Sequence, residues 1–192
     1  MAFNWKKRLI ISNKIKEVGK IIHTKKKTIV YTAGAWDMLH VGQVRYLAEA
    51  KKLANVLIVG VSSNQTVSTL KGPNRPILDE KIRAEMISYL RFVDLVTIVP
   101  TLSNQPTLAQ LQPDVYVTVK EDWNSGYQDS PEYQTVIGYG GKVNLVDRQS
   151  PFISTTQILK KSASAQLNEV LKDFMGETKK PLGDSGKSSK LT

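Results

Sequence analysis

Thr28-Ile-Val-Tyr-Thr32-Ala-Gly34-Ala-Trp36-Asp37-Met-Leu-His40-Val-Gly42-Gln43 decides how this chain of 192 residues folds. Its β-branched run Thr28–Thr32 fits a pleated strand, and the amphipathic stretch Val41–Leu53 fits a helix. Between them lies a turn with the chemistry of an anion site. Gly34 lets the backbone approach a phosphate, while His40, Gly42 and Gln43 fall at the start of the helix. There the free N–H groups and the helix dipole favour negative charge. Each residue taken alone has a plainer reading: His40 as a satisfied core histidine, Gly42 as close helix packing, Asp37 as a cap. Their combination after a strand favours phosphate binding.

Working outward, the alternation repeats. Strand-like Val56–Ser62 precedes helix-like Asp79–Arg91, Leu95–Val99 precedes Thr107–Gln112, Val115–Val119 precedes Pro131–Tyr139, and Lys142–Val146 precedes Thr155–Leu171. Strands alternating with helices imply right-handed crossovers and a parallel sheet covered on both faces. The expectation is a Rossmann-like α/β/α fold with about five parallel strands. Ligands in such sheets sit beyond the carboxyl ends of the strands, which directs attention to the turns after Thr32, Ser62 and Val119 and the one before Thr155. Ahead of the first strand, Leu9, Ile11, Ile15, Val18 and Ile22 share one helical face within Trp5–Ile22, predicting an amphipathic helix, and Lys25-Lys26-Lys27 forms a joint. The organisation read from the sequence is 1–27 as basic helix and joint, 28–175 as the domain, and 176–192 as a disordered tail poor in apolar residues.

Net charge is +10, but its placement matters more than its size. Residues 1–27 carry nine Lys/Arg against one acid, whereas residues 28–176 carry fourteen of each. Basic ends on a neutral middle are read as solvated segments, so no nucleic-acid partner is expected. There is no cysteine, which excludes disulfides, thiolate metal sites and a cysteine nucleophile. The sequence offers no apolar run of transmembrane length and no signal-peptide pattern, so the expected location is cytoplasmic.

The turn from Gly34 to Gln43 resembles the signature G-x-F-D-x-x-H-x-G-H of the cytidylyltransferase-like nucleotidyltransferases, and the likeness runs from about Thr28 to Leu159. Arg45-Tyr-Leu-Ala-Glu-Ala-Lys, Leu70-Lys-Gly-Pro-Asn-Arg-Pro-Ile77 and Arg83-Ala-Glu-Met86 look closest to the heptose-1-phosphate adenylyltransferase domain. Arg91-Phe-Val-Asp-Leu-Val, Glu121-Asp-Trp123 and Arg148 ahead of Ile153-Ser-Thr-Thr-Gln-Ile158 are similar to glycerol-3-phosphate cytidylyltransferases. The resemblance implies transfer of a nucleoside monophosphate from a nucleoside triphosphate, with Mg²⁺, to a phosphorylated small molecule; it also implies a possible homodimer.

By the same resemblance His40 contacts the triphosphate, Lys71 binds a substrate phosphate, and Ser154 and Thr155 hold the β- and γ-phosphates. Ser154 also reads as a plain helix cap. Arg91 and Arg148 correspond to phosphate-binding arginines, with surface ion pairs as the competing reading. Asp122 and Trp123 are expected near the base or ribose, and Thr32, Gly34, Trp36 and Asp37 around the nucleotide. Three departures stand out: Gln43 occupies the second signature histidine, Trp36 replaces Phe, and Thr118–Trp123 replaces the segment usual in the heptose branch. Gln43 keeps a donor but cannot carry an imidazolium charge, so a nucleotide-binding protein with impaired catalysis is an alternative to an active enzyme.

Overall fold

The structure, a computed structural model, describes residues 4–120, 126–149 and 153–177. The chain divides into two compact units, Met1–Thr155 and Thr156–Thr192. Within the first, the described residues form six parallel strands: β1 (Leu9–Ile10), β2 (Ile29–Gly34), β3 (Val56–Ser62), β4 (Leu95–Val99), β5 (Val115–Val119) and β6 (Lys142–Val146). Their spatial order is β1-β4-β3-β2-β5-β6. The helices are α1 (Ile15–Thr24), α2 (Val41–Lys51), α3 (Asn64–Lys71), α4 (Glu80–Ser88), α5 (Gln105–Leu111) and α6 (Pro131–Gly138). A seventh helix, α7 (Thr155–Glu177), starts at the last residue of the first unit and provides the described part of the second.

Period-two alternation on the central strands builds two cores. Val30 on β2 and Val59 and Val61 on β3 pack with Leu47, Ala50, Ala84 and Ile87 from α2 and α4. Ile29, Tyr31 and Ile58 point the other way, onto Ile15, Leu108, Leu111 and Val136 from α1, α5 and α6. This is the three-layer α/β/α arrangement expected of strands buried on both faces. Chain order reverses between β2 and β5, since β2 pairs with β3 on one side and with β5 on the other. The carboxyl end of β2 is therefore the switch point of the sheet, where a crevice for ligand opens.

The N-terminal segment differs from the single helix expected. Trp5–Arg8 and Ser12–Lys14 are short 3-10 turns, Leu9–Ile10 is a sixth strand parallel to β4, and only Ile15–Thr24 is α-helical. Arg8 explains part of this, because its Nη1 donates to the carbonyls of Ser88 and Val93 at 2.8 Å each and so ties down the turn after α4. Ile11, expected on the buried face, is 67% exposed. Gly19 brings α1 close to α5: a Cβ there would meet the Leu111 carbonyl oxygen at 2.5 Å. The helix α3 was also absent from the sequence reading. Its first turn is capped by Ser63, whose side chain accepts the Thr66 N–H.

In α7, Leu167, Val170, Leu171, Phe174 and Met175 are exposed. The helix continues to Glu177, two residues into the predicted tail, and the rest of that tail lies outside the described residues.

Candidate active site

The turn after β2 carries the site. Trp36 (φ 50°) and Met38 (φ 51°) both adopt the left-handed region, an uncommon conformation for residues with side chains and a frequent mark of functional turns. The conformation is held from below by buried contacts. Trp36 Nε1 donates to the Gly60 carbonyl at 2.7 Å, and its ring packs on Tyr46 at a centroid distance of 5.9 Å. Thr32 Oγ1 shares a 2.7 Å hydrogen bond with Tyr46 Oη, which in turn donates to the Val117 carbonyl. Thr32 and Trp36, expected beside the nucleotide, are thus side chains of the core that shape the turn.

His40 is the N-cap of α2, with extended backbone, and its carbonyl accepts the Val44 N–H at the start of the helix. Gln43 Oε1 accepts the His40 backbone N–H at 3.1 Å. The two residues thus have the arrangement of a capping box in which only the Gln43 half has full hydrogen-bond geometry. Nδ1 of His40 is buried and finds no hydrogen-bond partner among the described residues. Burial, and secondarily the positive charge of Arg148, push the His40 imidazole below its ordinary pKa. At neutral pH it is an uncharged ring at a helix N-terminus.

Arg148 follows β6 and Lys71 ends α3; both are exposed, and Arg148 is close enough to His40 for their charges to interact. Gly34 ends β2 beneath the Trp36 ring, which a Cβ would approach to 3.1 Å. Ser154 is half-buried, and Thr155 Oγ1 donates to the Asp37 carbonyl at 2.6 Å.

Two further predicted residues have other places. Arg91 sits in the connection from α4 to β4, hence at the amino edge of a parallel sheet, opposite the crevice. Asp37 is 1% exposed and its carboxylate is fully engaged: Arg75 pairs with it at 2.8 Å, and the Ile77 and Leu78 N–H groups donate at 2.9 and 3.1 Å. Burial pushes its pKa up, but these donors outweigh burial and hold the carboxyl below its ordinary value. Asp37 is therefore a brace within the protein. Asp122 and Trp123 lie outside the described residues.

The sequence reading gave no role to Arg83, which is fully buried. Its guanidinium donates to the carbonyls of Ala35 and Leu78 and to Asn64 Oδ1, joining the signature turn, the loop before α4 and the start of α3. The available signal was its position one residue before Ala84 and four before Ile87, on the buried face of α4.

The cytidylyltransferase-like family's model matches residues 31–161. The chain belongs to that family. It is 32% identical over 152 residues to the bifunctional protein HldE of Syntrophotalea carbinolica, covering 76% of this chain and 29% of that one. HldE of Campylobacter jejuni subsp. doylei is 36% identical over 159 residues, covering 80% and 32%. The chain therefore spans about a third of the length of these relatives. Among solved structures it is similar to a lipopolysaccharide core biosynthesis protein from Thermoplasma volcanium, with a TM-score of 0.52 and 26% identity, covering 64% of this chain and 96% of that one. A protein with unknown function from Archaeoglobus fulgidus shares the fold at a TM-score of 0.50 and 20% identity, covering 66% and 95%. Among the described residues no helix is long and apolar enough to cross a membrane.

Proposed function

We propose that this protein is a nucleotidyltransferase that transfers a nucleoside monophosphate, AMP in preference to CMP, from the magnesium complex of its triphosphate to a sugar phosphate or polyol phosphate. The carrying observation is the switch-point turn itself. It presents a helix N-terminus, an uncharged His40 and a restrained Gln43 amide, with Arg148 close by.

The reaction needs little more. A phosphate oxygen of the acceptor, already ionised at neutral pH, attacks the α-phosphorus; the bond from that phosphorus to the bridging oxygen breaks; pyrophosphate leaves with the electron pair. No proton is moved and no covalent enzyme intermediate is required. Catalysis reduces to alignment and to donors aimed at the oxygens of the five-coordinate phosphorus. His40 donates through Nε2, because the Nδ1 side is buried toward the α2 backbone, and Gln43 donates through its amide nitrogen, because Oε1 is held by the His40 N–H. Lys71 and Arg148 clamp substrate phosphates, and the 154–155 segment meets the β- and γ-phosphates.

The choice of adenine and of a sugar phosphate is supported by the HldE relatives and by the matching Leu70–Ile77 segment. The magnesium ion enters with the triphosphate, since the Asp37 carboxylate is already taken up by Arg75 and the Ile77 and Leu78 N–H groups.

The test is pyrophosphate release by the purified protein with MgATP or MgCTP against heptose 1-phosphate and glycerol 3-phosphate. Release with ATP and the heptose phosphate supports the reading. Preference for CTP with glycerol 3-phosphate transfers it to the cytidylyl branch. Nucleotide binding without release for any pair makes this a binding protein.

A further inference from the structure

Asp37 touches two separate parts of the site, one with its carboxylate and one with its backbone. Its carboxylate receives Arg75 Nε and Nη2 at 2.9 and 2.8 Å and the N–H groups of Ile77 and Leu78. Its backbone carbonyl receives the Thr155 hydroxyl at 2.6 Å. Asp37 itself lies three residues before His40 in the signature turn. The Arg75 contact reaches further along the chain, because the Arg75 N–H bonds to the Gly72 carbonyl at 3.1 Å, closing a tight turn directly after Lys71. The same loop, through Pro73, Arg75, Pro76, Leu78 and Asp79, walls a pocket of about 490 Å³ opposite Asn64, Gln65 and Ser68 on α3.

We infer that Asp37 is a positioning residue which sets two substrate-binding segments independently against His40: the Lys71 loop through its carboxylate and the Ser154–Thr155 segment through its carbonyl. This rests on the proposed transferase reading. The physical warrant is rigidity. The Thr155 contact is buried and the Arg75 contact largely shielded, Asp37 being 1% and the Arg75 side chain 12% exposed, so each bond is worth more than a solvated one and each segment has little freedom while the bond persists. A displacement of about 1 Å at a reacting phosphate is enough to lower turnover on the order of a hundredfold. Acting through two separate bonds, the brace is also divisible. Loss of the Arg75 contact frees one segment, and loss of the Thr155 hydroxyl frees the other.

The test uses Thr155→Val, Arg75→Gln and Asp37→Asn in the full chain, with Arg75→Lys as the replacement should Arg75→Gln fail to fold, and with melting temperature recorded for each. Steady-state constants are measured for the triphosphate and for the acceptor phosphate. Thr155→Val is expected to raise KM for the triphosphate about fivefold or more while acceptor KM stays within about twofold, and Arg75→Gln, with the Lys71 loop taken as the clamp on the acceptor phosphate, to do the reverse. Asp37→Asn weakens the carboxylate contacts and leaves the backbone carbonyl in place, so it should follow Arg75→Gln, raising acceptor KM while triphosphate KM stays within about twofold.

Parallel changes in both KM values, tracking the loss of melting temperature, would make Asp37 a structural residue only and overturn the inference; so would unchanged constants. If the parent turns over no pair, the transferase reading fails by itself. The brace is then judged by calorimetric titration with MgATP and with inorganic phosphate. A split in the two affinities supports it, and the absence of a split overturns it.

Discussion

Replacing Gln43 with His should make this protein faster and less stable. In the structure Gln43 Oε1 accepts the His40 N–H at 3.1 Å, which leaves the amide nitrogen as its donor, aimed at the substrate phosphate in the proposed reaction. An imidazolium at the same position has two N–H donors and no acceptor, so it cannot carry charge into the crevice and also accept the His40 N–H. Losing the cap costs about 1 kcal/mol of stability. The gain is in the transition state. Removing a preorganised donor to a developing oxyanion costs about 2.7–4 kcal/mol. An uncharged amide already supplies part of that, and a ring able to carry positive charge recovers about 1.4 kcal/mol of the remainder, a factor of about ten in turnover. Nucleotide affinity should hardly change, because the difference is made in the transition state. Single-turnover kinetics and urea denaturation on Gln43→His read both effects. Unchanged turnover with unchanged stability would refute the reasoning, since it would mean that Gln43 neither caps α2 nor faces the reacting phosphate.

Arg83→Met leaves the carbonyls of Ala35 and Leu78 and the Asn64 amide oxygen without their buried donor, and should cost about 3 kcal/mol in urea denaturation; a loss under about 1 kcal/mol would show that these groups find other partners. Deleting residues 1–14 removes β1 and Arg8, baring the β4 edge and the carbonyls of Ser88 and Val93; the melting temperature should fall clearly, and no change would mean that the segment is not docked in solution. His40 has a folded pKa below its ordinary 6.5, so its neutral form favours the fold. The stability this contributes is present above the ordinary value and is lost as pH falls through the lower folded value. Turnover should hold steady down to the ordinary value and decline below it, and an acid limb centred above 6.5 would contradict a neutral His40.

The bounds of β3, β4, β5 and β6 agree residue for residue with the runs read from the sequence; for β3, β4 and β5 the reason is that strands inside the sheet bury both faces and their β-branched runs carry that burial, while β6 is a half-buried edge strand. His40 and Gln43 at the start of α2 were legible for a similar reason: glycine, histidine and a helix onset in one turn leave few alternatives. What escaped was set by contacts distant in sequence. β1 is two residues long and exists only through its pairing with β4. α3, Asn-Gln-Thr-Val-Ser-Thr-Leu-Lys, is poor in strong helix formers and is stabilised by the Ser63 cap and by burial of Thr66 and Val67. The role of Asp37 was hidden because its main partners, Arg75, Ile77 and Leu78, lie about forty residues along the chain. Arg91 was misplaced because a motif gives no edge of the sheet, whereas its position between α4 and β4 does.

The central claim is that nucleotidyl transfer takes place at the turn capped by His40. Its most direct measurement is single-turnover formation of the nucleoside diphosphate-linked product, followed by mass spectrometry, for the parent protein and for His40→Ala at matched circular dichroism. Removing a donor of this kind predicts a rate lower by about a hundredfold or more in the variant, with the product of the parent accumulating together with stoichiometric pyrophosphate. Equal rates for the two proteins would place the chemistry elsewhere and contradict the account.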